Sequence, residues 1–138
     1  MGMFTELILG CSLTKDLPKE CVNALNNCIN SSDVIIDDFS KKYELMDICY
    51  SESAYFGSSS NCKFEEYPDY YQLSIRSNLK NYFQEIENFL DYLKPYVLLG
   101  SGINNFYAIV TYEEDSYPTI WFKDKTINLQ ECLNMLKL

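Results

Sequence analysis

The stretch YQLSIRSNLKNYFQEIENFL, residues 71–90, decides how this chain is read. Its first half alternates: Tyr71, Leu73 and Ile75 share one side of an extended segment, and Gln72, Ser74 and Arg76 share the other. That pattern belongs to an antiparallel strand with one face buried and one face wet. In the second half the period changes. Tyr82, Ile86, Phe89, Leu90, Leu93 and Val97 recur at helical spacing, while Glu85, Glu87, Asn88 and Asp91 take the opposite side. Asn81 is placed to cap this helix, Gln84 to close a capping box, and Pro95 and Gly100 to end it. A strand feeding an amphipathic helix is half of an α+β unit.

Upstream lies a second such half. FTELILGCSL, residues 4–13, places Leu7, Leu9, Cys11 and Leu13 on one face and Phe4, Ile8 and Gly10 on the other, which predicts a central strand apolar on both sides. TKDLPKECVNALNNCIN, residues 14–30, predicts a short helix with Pro18 in its first turn and Glu20 at the positive end of its dipole. Val22, Leu25 and Ile29 stack there, flanked by Cys21 and Cys28, and Asn26, Asn27 and Asn30 weaken its end. Residues 31–42 form a polar connection pinned by an apolar cluster at 34–36, as an irregular loop or an extra edge strand. YELMDICYSESAYFG, residues 43–57, is strand-like, through Leu45, Met46, Ile48, Tyr50, Tyr55 and Phe56. A turn at 57–61 and a short arm in CKFEEYPDYY, residues 62–71, complete the middle of the chain.

Downstream, residues 104–122 predict a hairpin with arms Phe106–Tyr112 and Thr119–Phe122 around an acidic turn. NLQECLNMLKL, residues 128–138, offers Asn128 and Glu131 as a capping box and Leu129, Cys132, Leu133 and Leu136 as a short apolar stripe. The order reduces to β-α-β-β-α-β. The expected architecture is a ferredoxin-like α+β sandwich: one antiparallel sheet with helices on one face, plus an extra hairpin and a short C-terminal helix, in a single domain over residues 1–138.

Charge and composition bound the chemistry. The 138 residues carry 20 Asp and Glu against 11 Lys and Arg, a formal net charge of -9. Phosphate backbones are repelled by such a surface, so direct nucleic-acid binding is not expected and a basic protein partner is. The chain has no histidine, which removes His-dependent triads, Cys–His dyads and HExxH zinc helices. No EF-hand or phosphate-loop spacing occurs, and no cofactor or metal is expected. Six cysteines without a CxxC pair, Cys11, Cys21, Cys28, Cys49, Cys62 and Cys132, are expected as free, buried thiols in a reducing cytosol. No apolar run is long enough for a membrane span, and no basic-then-apolar leader opens the chain, so a cytoplasmic location follows as the expectation.

Three acidic clusters stand out as candidate partner contacts: Asp37 with Asp38; Glu65, Glu66 and Asp69; and Glu113, Glu114 and Asp115. Tyr67 and Tyr70 lie among the second group and suit interface anchoring, because a tyrosine covers much area at small entropic cost. Loop acids are also simply solvated charge, or they can imitate a phosphate backbone where several share a face. Arg76, the only arginine, reads in two ways. It is an internal ion pair with an acid such as Glu44 or Asp47, or an anchor on the open sheet face for the phosphate of a nucleotide-like ligand, gripped by its planar fork. A small-molecule sensor or sponge, using the sheet face or a dimer cleft, is the corresponding alternative function.

Four segments, MFTELILGCSL, PKECVNAL, LSIRSNLKNY with EIENFLDYLKPY, and YEEDSYPT, together resemble a group of small acidic proteins encoded by phages and prophages of low-GC Gram-positive bacteria. The likeness runs from Phe4 to about Phe122 and brings no active-site residues. It implies a phage setting inside a host bacterial cell. Small, acidic, non-enzymatic phage proteins resemble inhibitors of host defence, including anti-CRISPR proteins, that occupy the basic nucleic-acid channel of an effector. The expected function is therefore non-enzymatic inhibition of a basic host defence effector. An immunity-type protein that neutralises a basic toxin fits the same charge.

Overall fold

A computed structural model describes residues 4–31, 37–50, 62–98 and 106–136. Its centre is β1, Thr5–Leu13. Thr5, Leu7, Leu9, Cys11 and Leu13 are buried, while Glu6, Ile8, Gly10 and Ser12 are half-buried or exposed. The strand is central, as expected, but among the described residues the helices cover only one of its faces. Ile8 is 39% exposed, so its apolar character marks an uncovered row and not a second core.

Both edges of β1 are occupied. On one side β3, Tyr71–Leu79, pairs antiparallel along the full length, from Thr5 with Leu79 to Leu13 with Tyr71. On the other, β5, Phe106–Tyr112, takes the Thr5 half, and the two-residue β4, Val97–Leu98, takes Ser12 and Leu13. β2, Lys63–Glu66, lies outside β3; β6, Thr119–Phe122, and β7, Thr126–Asn128, lie outside β5. The result is a seven-stranded antiparallel sheet in the order β2-β3-β1-β5-β6-β7, with β4 on β1. The 106–122 hairpin is formed as its sequence predicts, with a bulge between Phe106 and Ala108.

Helices cover the buried face. α1, Lys19–Leu25, turns Cys21, Ala24 and Leu25 inward. It does not end at the asparagines: a π-helical turn, Asn26–Asn30, continues it and buries Cys28. The wider turn lets the Asn30 amide donate both to Asn26 Oδ1 at 2.8 Å and to the Phe64 carbonyl at 2.9 Å, tying the helix end to β2. α4, Glu85–Leu93, buries Ile86, Phe89, Leu90 and Leu93; of the other two expected stripe positions, Tyr82 precedes the helix and is exposed, and Val97 is buried in β4. Its start is later than the capping pattern suggests. Gln84 is left-handed with φ 59 and makes no side-chain cap, while Asn81 Oδ1 reaches forward to accept the Ile86 N–H at 2.9 Å. Tyr107 pins β5 to this helix by donating its hydroxyl to the Leu90 carbonyl at 3.1 Å.

The largest departure from the sequence reading lies at residues 38–50. In place of the expected polar connection over residues 31–42 and the expected strand from Tyr43 onward, two helices form, α2 at Asp38–Tyr43 and α3 at Leu45–Tyr50. Glu44, with φ 51, is the left-handed hinge between them. Leu45, Ile48 and Cys49 are fully buried, a helical spacing that the apparent alternation of Met46, Ile48 and Tyr50 disguises. The cluster at 34–36, Tyr55, Phe56, the turn at 57–61 and Gly100 fall outside the described residues. α5, Leu129–Leu136, forms beside β6 and β7, with Asn128 Oδ1 accepting the Glu131 N–H at 3.1 Å. Its stripe stays largely uncovered, and Leu136 is 75% exposed. Cys11, Cys21, Cys28 and Cys49 are buried free thiols, as expected, whereas Cys62 is half-buried and Cys132 exposed; burial pushes Cys11 and Cys21 up to about 12.

Phe89, fully buried, belongs to the one hydrophobic cluster that the helices and the sheet share. Phe89→Ala is expected to lower unfolding stability by about 3–5 kcal/mol through lost burial and a residual cavity. Urea denaturation measures this, and a loss below about 1 kcal/mol would contradict the packing described.

Candidate functional site

The sheet register separates the acidic clusters. The β2–β3 turn lies at the Leu13 end of β1, because Leu13 pairs with Tyr71. The β5–β6 turn lies at the Thr5 end, because Thr5 pairs with Tyr112. β1 is nine residues long, so the two turns stand about 26 Å apart along the strands. Asp37 and Asp38 stand at the start of α2. The three clusters do not form one surface.

Several of these acids have structural employment. Asp37 is the N-cap of α2, its Oδ1 accepting the Ser40 N–H at 2.7 Å, and Asp38 lies exposed in the first turn. Glu113 accepts the Phe4 N–H at 2.7 Å and so holds the entry to β1. Glu114 is exposed and Asp115 half-buried, its N–H donating to the Tyr112 carbonyl at 3.0 Å.

The β2–β3 tip is where acids and aromatics converge. The turn closes by Tyr67 N–H donating to the Tyr70 carbonyl at 2.9 Å. The rings of Tyr67 and Tyr70 stack at 4.9 Å with planes 16° apart. Tyr67 donates its hydroxyl to Glu65 at 3.2 Å, and that carboxylate raises the Tyr67 phenol above its usual range. Glu66 takes the Lys15 ammonium at 2.9 Å, and Lys15 in turn lies 4.3 Å over the Tyr71 ring. Phe64 stacks on Tyr71 at 5.4 Å beneath, anchoring the short strand to the core. Glu65, Glu66, Tyr67 and Asp69 are exposed and Tyr70 is half-buried. The tip therefore offers negative charge beside a pre-stacked aromatic pair on a strand-supported turn.

The opposite end of the sheet carries two clefts that meet at Phe4. One, of about 330 Å³, is lined by Asp47, Lys80, Tyr82 and Glu85, among others, and the second, of about 220 Å³, by Glu6, Asn78, Thr111 and Glu113. The Lys80 ammonium stands 6.0 Å from the Phe4 ring and 5.8 Å from the Tyr82 ring, so these aromatics already face a cation of the chain itself. The sequence reading places Phe4 on a strand face and Tyr82 on the helical stripe without making either a site residue, and it does not name Lys80. The signal lay in Tyr82 and Phe83, adjacent aromatics ahead of the helix, 61% and 81% exposed.

Arg76 is exposed on β3, on the uncovered face, opposite Ile8. Glu44 and Asp47 belong to the α2–α3 segment. Neither cleft is lined by Arg76. Among the described residues no group of three or more Cys, Asp or Glu is arranged to hold a metal ion, and no helix is long and apolar enough to cross a membrane. Comparison with family models, with curated proteins and with solved structures finds no match to this chain.

The loop at residues 80–84 is held by a partly buried carboxylate. Asn81 donates its amide to both oxygens of Glu87, and Tyr112 adds a hydrogen bond from β5. Burial raises the Glu87 carboxyl above the ordinary carboxylate range, against those hydrogen bonds, which lower it. A raised folded value means that Glu87 contributes stability below its unfolded pKa, about 4.3, and that this contribution is lost as pH rises through the folded value. In Glu87→Gln that loss is absent. The stability of the native chain relative to Glu87→Gln is expected to decline as pH rises from about 4 to 7 in urea titrations; a pH-independent difference would contradict it.

Proposed function

We propose that this chain is an acidic, non-enzymatic binding domain that takes a basic protein surface at the β2–β3 tip. The observation that carries the reading is the Tyr67–Tyr70 stack, exposed at Tyr67 and half-buried at Tyr70, flanked by Glu65, Glu66 and Asp69. Stacked tyrosines lose little freedom when covered, and the surrounding carboxylates orient a cationic partner during encounter. The net charge of -9 supports the same sign of partner and opposes nucleic acid. Asp37 and Glu113 are better read as local fold ties, which leaves Asp38, Glu114 and Asp115 as general contributors to the field.

The segmental likeness to phage and prophage proteins supports a specific setting: an anti-CRISPR type inhibitor in the cytoplasm of a host bacterium, covering the nucleic-acid channel of a defence effector. We also read the core as ferredoxin-like, supported by the β2-β3-β1-β5 order with α1 and α4 on one face. β6, β7, β4 and α5 are then additions at its margins.

The test uses a purified RNA-guided effector with and without its guide RNA. Binding is expected to the guide-free form, to weaken with salt as ion pairing requires, and to fall about 10-fold or more in Tyr67→Ala/Tyr70→Ala. Equal binding by that double variant, or affinity that ignores salt, would overturn the assignment to this tip.

A further inference from the structure

The uncovered face of the sheet holds an arrangement that the acidic tip does not explain. Register places Ile8 of β1 beside Ile109 of β5, Ile109 beside Ile120 of β6, and Ile120 beside Ile127 of β7. Four isoleucines from four strands thus form one row across the sheet, each half-buried or exposed, with Arg76 of β3 at the row's end next to Ile8. Phe106 and Phe122 pair on the same side, their rings edge to face at 6.2 Å.

The charge on this face differs from that of the whole. Its strands present Lys63 and Arg76 against Glu6 and Glu65, two cations against two anions, and Glu113 lines the cleft beside Glu6 at the margin, so the face carries far less than its share of a net charge of -9. A strongly basic partner gains little from a surface whose charges nearly cancel. A second copy of this chain, by contrast, can approach here with the least mutual repulsion. The face is also extensive. Its six strands are four, nine, nine, seven, four and three residues long, which at about 3.3 Å per residue and 4.8 Å per strand covers on the order of 600 Å². That reaches the lower end of a standard interface, about 600–1,000 Å² from each partner.

We infer that this face is a self-association surface, on which two copies pack sheet against sheet about a two-fold axis with their isoleucine rows in contact. Packed sheets stand about 10 Å apart, the distance that interdigitated isoleucines fill. A two-fold contact brings the same patch from both copies, so one apolar row serves as both donor and acceptor of the packing. The cancelling charges near β2 and β3 then lie toward the rim.

Salt separates this inference from the binding function proposed above. Screening relieves the repulsion between two molecules of like charge, so self-association strengthens with salt, whereas docking of a basic partner weakens. Sedimentation equilibrium of the purified chain at about 100 μM is expected to give a dimer whose dissociation constant falls between about 0.05 and 0.5 M sodium chloride. Ile8→Lys is expected to weaken the dimer at least 10-fold. Ile109→Thr, which keeps a strand-forming side chain, is expected to weaken it several-fold, with a melting temperature unchanged at dilutions where both chains are monomeric. Tyr67→Ala/Tyr70→Ala is expected to leave it intact. A monomer at both salt concentrations, or a dimer unaffected by Ile8→Lys and Ile109→Thr, would overturn the inference, whatever the tip variants do to partner binding.

Discussion

The pairing of β1 along both edges is the constraint on which the rest of the structure depends. Nine residues of β1 are matched by nine of β3, and the other edge is shared between β5 and β4. Because side chains alternate, this one strand settles what every neighbour shows to each side. Its odd positions face α1, α3 and α4, and its even positions face away. A one-residue slip would expose Leu7, Leu9 and Leu13 and bury Glu6, which the hydrophobic term would not tolerate. The helical layer closes over the odd side through fully buried Leu25, Ile48, Phe89 and Leu90.

The same register controls the electrostatics. Net charge is a property of composition, but a binding surface is a property of place. β1 holds the β2–β3 turn and the β5–β6 turn at opposite ends of the sheet, so their carboxylates cannot engage one compact partner site. What remains at the Leu13 end is a small unit: two stacked tyrosines, Glu65, Glu66 and Asp69, supported by the Phe64–Tyr71 stack and the Lys15–Glu66 pair. Such a surface ion pair adds little stability, but it fixes the direction in which the strand edge presents its charge.

Much of the fold was legible because its signals are local and long. β1, β3, the β5–β6 hairpin and α4 each carry a clear period over seven or more residues. α2 and α3 were not legible, since each is only six residues long and Glu44 breaks them with a left-handed backbone. The π-turn after α1 was hidden for a similar reason: three asparagines read as a helix end, and only a contact with Phe64 in a distant strand explains their persistence. At the candidate site, Glu65, Glu66, Tyr67 and Tyr70 could be named from the sequence because they are neighbours in the chain. The separation of the acidic clusters and the alignment of Ile8, Ile109, Ile120 and Ile127 could not, because both are consequences of strand register, which no single segment contains.

Amide hydrogen exchange along β1 tests the central claim most directly. The account predicts that the inner amides of β1, bonded to β3 on one side and to β5 on the other, exchange only through global unfolding, so their free energies of opening equal the stability from denaturation. Those of the edge strands β2 and β7 should open at lower cost. Exchange of the β1 amides as fast as those of β2 and β7 would contradict the account, because β1 would then be neither central nor the strand that sets the register of the sheet.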